Sequence, residues 1–220
     1  MRSLKVSLLA LGLTAAISSN ASAQLSFDDA TTTPFSVVSN YGGFNWSNAF
    51  VIDPIVYMGG ASQAGGFLTA MQSPSWVMGN YAARPLTMSR GTAFDLTGGV
   101  FASVWKNGMT LNAVGSRNGV QLYNQNYSIN WDVSRFLALN MTGVDEVTFT
   151  SSGGTDAPGF AGRNYSFAMD DITFTNSVES VTGESAVSVV PEPMTMSLVG
   201  FGLLALGGLH ARRRRAVSAN

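Results

Sequence analysis

Between residues 24 and 190 no segment keeps the 3.6-residue apolar period of an amphipathic helix. Short apolar runs recur instead, each bounded by Gly, Asn, Ser, Asp or Pro. Strand-like runs fall at residues 25–27, 35–38, 49–51, 55–58, 75–78 and 92–96. More follow at 100–105, 109–114, 120–127, 136–139, 144–150 and 165–175. Many short strands separated by turn residues, with no helix between them, predict an all-β fold: an antiparallel β-sandwich of jelly-roll type. The clearest local signal is a hairpin, in which residues 109–114 and 120–127 flank Arg117-Asn118-Gly119. Asn-Gly accepts the positive φ angles of a type I′ turn. In the last run, Tyr165, Phe167 and Met169 alternate, and Ile172 and Phe174 resume one step out of phase. That break at Asp170-Asp171 predicts a bulge, or acidic side chains held there for a reason.

The two ends read as addresses. Arg2 and Lys5 precede an apolar stretch at 6–17 and the small-x-small triplet Ala21-Ser22-Ala23. This order predicts a signal peptide over residues 1–23, removed by signal peptidase to leave Gln24 first. At the other end, Pro191, Glu192 and Pro193 precede an apolar span and then Arg212, Arg213, Arg214 and Arg215. The span predicts a transmembrane helix over about 194–211, short for ~30 Å of hydrocarbon unless the arginines snorkel. The arginines orient it, with residues 216–220 cytoplasmic and the body outside. A Ser/Val/Thr-rich stretch at 177–190 reads as a flexible spacer, which leaves 24–176 for the folded domain.

The C-terminal arrangement resembles the PEP-CTERM sorting signal of Gram-negative bacteria, through Pro191-Glu192-Pro193, the glycine-bearing apolar span and the arginine cluster. The resemblance implies recognition and removal of the tail by an exosortase, and delivery to the cell surface or extracellular matrix. It also implies a host that makes exopolysaccharide and grows in biofilms or flocs.

Without these addresses the chemistry of the chain changes. Residues 24–190 carry six basic and twelve acidic side chains, a net charge of −6. A body of that sign, without a basic patch, is no partner for nucleic acid. The sequence has no Cys, and its one His is His210 in the tail. A Ser-His-Asp triad, a Cys-His pair and a histidine-bearing zinc site are therefore excluded from the body.

Two clusters stand out. Asp28-Asp29 follow the first strand, and Asp170-Asp171 lie in the last. First and last strands pair in many jelly rolls, which would gather four carboxylates suited to a structural Ca²⁺. The alternative is that these aspartates face solvent or cap turns. The run Phe167 to Phe174 is similar to the closing strand of extracellular carbohydrate-binding jelly-roll domains. The second cluster is the aromatic and amide stretch at 40–48, with Tyr41, Asn45 and Trp46 around Gly42-Gly43. Flat rings and amides suit sugar recognition, and Trp76, Tyr81, Trp105, Tyr123, Tyr127 and Trp131 are candidates for the same or another face. The alternative places Phe44 and Trp46 in the core and makes Gly42-Gly43 a turn. The sequence thus reads as an exported, non-catalytic polysaccharide-binding protein. One alternative is a purely structural matrix component. Another is a carboxylate-dependent glycan hydrolase or lyase using residues such as Asp132, Asp145 and Glu146.

Overall fold

A computed structural model describes residues 22–177. The predicted signal peptide up to residue 21, most of the spacer, the Pro191-Glu192-Pro193 motif, the apolar span and the arginine cluster lie outside the described residues. The described chain opens with β1 (Ala23–Leu25), β2 (Phe35–Tyr41) and β3 (Phe44–Ile52). Three short helices follow: α1 (Pro54–Met58), α2 (Ala61–Ala64) and α3 (Gly66–Ala70). Then come β4 (Val77–Asn80), a 3-10 turn (Tyr81–Ala83), β5 (Leu86–Ser103) and β6 (Lys106–Asn107). The chain continues through β7 (Met109–Arg117), β8 (Val120–Ile129), β9 (Arg135–Ser152), β10 (Thr155–Asp156) and β11 (Phe167–Asn176). Every pairing among them is antiparallel. Among the described residues no helix is long and apolar enough to cross a membrane.

β5 and β9 each run for 18 residues, well beyond the usual strand, because each passes through two layers. In the first layer one row runs Asn124, Val114, Thr148, Thr87, Ser47 across β8, β7, β9, β5 and β3. In the second a row runs Arg135, Phe101, Met169, Met78, Val51 across β9, β5, β11, β4 and β3. Because β3 and β5 belong to both rows, the pairings β3–β5–β11–β4–β3 close on themselves. The strands turn their corners at residues with positive φ: Asn48 in β3, Asn140 in β9 and Asp171 in β11. The register of β5 with β9 shifts around its own corner, and that of β11 with β5 shifts between Asp170 and Thr173. The predicted bulge at Asp170-Asp171 is therefore present. So is the hairpin: Arg117 pairs with Val120, and Asn118 and Gly119 have φ of 50° and 76°. The first and last strands also pair, Gln24 with Thr173.

Alternation sorts the side chains into two cores. Inward residues of both layers, among them Trp46, Met88, Phe101, Leu111, Phe149 and Met169, form the core between the layers. The alternate residues of the second layer, Phe50, Ile52, Val77, Ala102, Val104 and Ala168, form a second core on its outer face. The helices cover this second core, with Phe67 and Ala70 of α3 packed into it.

Three sequence expectations need correction. Residues 55–58 form α1 rather than a strand, because Asp53 accepts hydrogen bonds from the N–H groups of Ile55 and Val56 at 3.1 and 3.0 Å. Pro54 fits the first turn and Gly59, at φ 78°, ends it. The body is therefore not free of helix. The run 92–96 and residues 100–103 of the next belong to one strand, as do 136–139 and 144–150. Gly98-Gly99, between the first two of these runs, sits inside β5. There a Cβ would lie 2.4 Å from the Leu137 carbonyl at Gly98 and 2.4 Å from Ile172 Cδ1 at Gly99.

Candidate functional site

The second core opens to solvent at one end, and the opening is a cleft of about 440 Å³. Its apolar wall is a line of rings. Tyr57 of α1 stacks on Phe35 at 5.0 Å, and Phe35 stacks on Phe50 at 5.1 Å. Phe50 meets Tyr81 edge-on at 6.4 Å and Phe67 at 5.7 Å, and Phe67 meets Trp105 at 5.9 Å. The two tyrosines at the ends of the line remain 54% and 45% exposed, whereas the rings between them are largely covered. The lining is completed by a polar segment, Arg163, Asn164 and Ser166.

Each wall has an identifiable support. α1 carries Tyr57 and is capped by Asp53. At its exit, the helical insert is tied to β11 by Asp170. That carboxylate accepts from the N–H groups of Gln72 and Ser73 at 2.8 and 3.2 Å, and from its neighbour Asp171 at 2.8 Å. Asp170 is fully buried, and burial pushes its carboxyl up to about 6 despite those three N–H groups. Tyr81 sits on the turn after β4, where Ala82 and Ala83 both have positive φ. The buried Asn80 amide holds this turn, donating to the Arg84 carbonyl at 3.0 Å while its oxygen accepts from Phe167 N–H at 2.9 Å. On the polar side, Lys106 forms an ion pair with Asp156, and β6 pairs with β10. The Lys106 hydrogen bond, with a further one from Gly162 N–H, holds the Asp156 carboxyl below the usual carboxylate range. The 157–166 loop then folds back, with Ala157 N–H on the Trp105 carbonyl at 2.9 Å and Arg163 N–H on the Phe160 carbonyl at 3.2 Å. The Arg163 guanidinium lies 5.1 Å from the centre of the Trp105 ring.

The residues expected to bind sugar do not share one surface. Gly42 and Gly43, at φ 61° and 81°, form the two-residue turn between β2 and β3. Phe44 and Trp46 therefore point into the inter-layer core, while Asn45 and Ser47 point out. Trp46 is 5% exposed and its indole N–H donates to the Tyr41 carbonyl at 3.0 Å, so it offers no free face. Tyr41 is half-buried and donates to Asp29 at 2.6 Å; burial, then that carboxylate, raises its pKa. Trp76 packs against the same inter-layer core. Trp105, also 5% exposed, forms the floor of the cleft. Trp131 lines a separate hollow of about 400 Å³ with Gln63, Leu68 and Phe160.

Nor do the four aspartates form one cluster. Among the described residues no three Asp, Glu or His side chains converge. Asp170 is committed to the insert, Asp171 accepts from Gln24 Nε2 at 2.6 Å, and Asp28 accepts from Trp76 N–H at 3.3 Å. Asp29 is held by Tyr41. Asp145 accepts from Asn118 N–H at 2.8 Å and lies 4.0 Å from Arg117, while Asp132 and Glu146 are exposed. Among the described residues no carboxylate lines the cleft.

Of the residues lining this cleft, sequence reading named Tyr81 and Trp105 but missed Tyr57, Arg163 and Asn164. A signal for Tyr57 was present in the frame Asp53-Pro54 to Gly59, a cap, a first-turn proline and a terminating glycine. Nothing local marks the other two, which long-range pairing brings together.

No protein-family model and no curated protein matches this chain. Among solved structures it is similar to a DUF4465 family protein from Bacteroides caccae, with a TM-score of 0.49 and 12% identity over 71% of this chain and 100% of that one. It is similar to a DUF4465 family protein from Bacteroides ovatus at a TM-score of 0.45 and 6% identity, over 64% and 82% of the two chains. It is also similar to TmCBM61, solved in complex with beta-1,4-galactotriose, at a TM-score of 0.37 and 10% identity, over 69% and 94%. At scores below 0.5 the likeness carries no argument about what this chain binds.

Proposed function

We propose that this chain is an exported polysaccharide-binding protein whose saccharide site is the cleft between Tyr57, Tyr81 and Arg163. The observation that supports the reading is the pair of half-exposed tyrosine rings at one cleft. Both sit against a covered aromatic base, in a cleft also lined by Asn164 and Ser166. A pyranose presents a C–H face that packs on such rings and hydroxyls that need amide and hydroxyl partners, so both walls have a use. Among the described residues no carboxylate lines the cleft, which favours binding over glycan cleavage at this place.

The test is a glycan array probed with the full chain in detergent, followed by Tyr57→Ala and Tyr81→Ala. Each variant should weaken binding about three- to tenfold, the worth of one stacked ring. The exposure of both side chains protects the fold. A folded chain that retains no glycan, or variants that bind as the parent does, would sink the reading. Export and tail removal are part of the same proposal and rest on the two end segments. Intact mass of the delivered protein should show Gln24 first and the chain cut near Pro191-Glu192-Pro193; a retained arginine cluster in that pool would overturn the processing.

A further inference from the structure

The polar wall of the cleft carries one charge in a body where acids outnumber bases. Among the described residues, the other basic side chains near acceptors use them. Arg90 donates to the carbonyls of Thr92 and Ala93, Lys106 pairs with Asp156, Arg117 reaches Gly143, and Arg135 reaches Ser128. Among the described residues the Arg163 side chain donates to no protein acceptor; its contact is the Trp105 ring. Arg84 likewise has no side-chain acceptor, but it does not line the cleft. Arg163 therefore holds a planar set of five donors beside an indole, in a cleft that among the described residues is lined by no acid.

A guanidinium in that state is suited to a planar, two-oxygen anion. With its carbon over the Trp105 ring and no protein acceptor among the described residues, its N–H groups are available, and they match the oxygens of a carboxylate side by side. The tyrosines alone would accept a neutral sugar; the unspent arginine adds a demand for negative charge beside it. We infer that the cleft is selective for acidic polysaccharide, taking a uronate residue with its ring against the tyrosines and its carboxylate on Arg163. This rests on the cleft being the saccharide site. The overall negative charge of the body slows the approach of a polyanion, so the selectivity is in the bound state rather than in long-range attraction.

The experiment titrates the full chain in detergent with three probes by calorimetry. They are a short oligogalacturonate, the same oligomer with its carboxyls reduced to alcohols, and a sulfated galactan oligomer of equal length. The uronate should bind about tenfold tighter than its reduced form, the increment of one charge-assisted bidentate contact. Arg163→Gln should weaken uronate binding about tenfold and so abolish that ratio. If the reduced oligomer binds as tightly as the uronate, the inference fails while the saccharide cleft stands. If neither binds, both fall. Tighter binding of the sulfated oligomer overturns the carboxylate assignment. Should Arg163→Gln lose all binding, the comparison of uronate with reduced oligomer on the unaltered chain decides, since only the ligand differs.

Discussion

The two halves of β5 face different surroundings. In its first half Leu86 and Met88 point into the core while Thr87 and Ser89 point to a bare outer face. In its second half Phe101 points into the same core, but Ala102, like Val104 just past the strand's end, points into a second one under the helices. The first layer is thus finished by polar contacts across strands. Thr87 and Thr148 hydroxyls meet at 3.0 Å, and the Asn112 amide donates to Asn124 and Asn126 at 2.6 and 2.9 Å. The second layer is apolar on both faces and needs a cover. The helical insert supplies it incompletely, and the cleft is the part left open. Function on this reading belongs to the layer that could not satisfy its outer face with strands alone.

The largest expected effect separates the two faces directly. Phe50→Ala removes the ring that touches Phe35, Phe67 and Tyr81, and should cost about 3–5 kcal/mol. Thr148→Ala on the bare face removes one hydroxyl pair and should cost about 1 kcal/mol or less. Urea unfolding of the full chain measures both; similar losses would mean that the second core is not a core.

What the sequence reveals follows the same division. Period-2 alternation shows where one face is wet, as in 109–114 and 120–127, and the Asn118-Gly119 turn between them is correct in type and place. The phase break at Asp170-Asp171 is also legible, because a bulge shifts the pattern on its own strand. Phe44 and Trp46 alternate with Asn45 and Ser47, so their inward direction was readable. Ala49-Phe50-Val51-Ile52 is different: with all four buried there is no alternation to read, and the second core stays invisible. The helices escape because α1 is five residues long, less than the span over which a 3.6 period can be seen. Arg163 and Tyr81 meet only through the β11–β4 and β5–β11 pairings, and no local pattern encodes that.

How the cover is held is the next contrast to sharpen. The Asp170 carboxyl has an ordinary value of 3.8 and is raised to about 6 by burial. Between those pH values the folded chain keeps a proton that the unfolded chain has released. Its contribution to stability is therefore full below about pH 3.8 and is lost as pH rises through about 6, by up to about 3 kcal/mol. Asp170→Asn keeps an acceptor for the Gln72 and Ser73 N–H groups and removes the titration. Subtracting the variant's stability-versus-pH curve from the parent's should leave a fall across pH 4–6; a flat difference would refute the buried carboxyl.

A smaller loss belongs to the other anchor. Asp53→Ala removes the cap of α1 and should cost about 1 kcal/mol. The loss should be local. Hydrogen exchange should speed up at Tyr57 N–H, which donates to the Asp53 carbonyl at 3.0 Å, and stay unchanged at Leu111 in β7. Equal acceleration at both positions would show that the insert and the sandwich unfold as one unit, and that the contrast between layers has no energetic meaning.

The smallest effect expected is that of Ca²⁺. The seam between β1 and β11 brings acidic residues from both ends of the domain near one another, yet their oxygens already face donors. Asp170 is turned to N–H groups, whose positive ends repel a cation at the position it would need. Asp171 is held by the Gln24 amide, Asp28 by Trp76 N–H and Asp29 by the Tyr41 hydroxyl. Gathering them would break at least those contacts at the very place where the insert is tied down. Melting of the full chain in EDTA and in excess Ca²⁺ should therefore give the same Tm. A metal bound only by the folded state at a hundred times its Kd adds about 2.7 kcal/mol, a shift of several degrees. A rise of that size, lost in Asp170→Asn, would show that the seam rearranges around the ion and that the second layer is fastened by a metal rather than by hydrogen bonds.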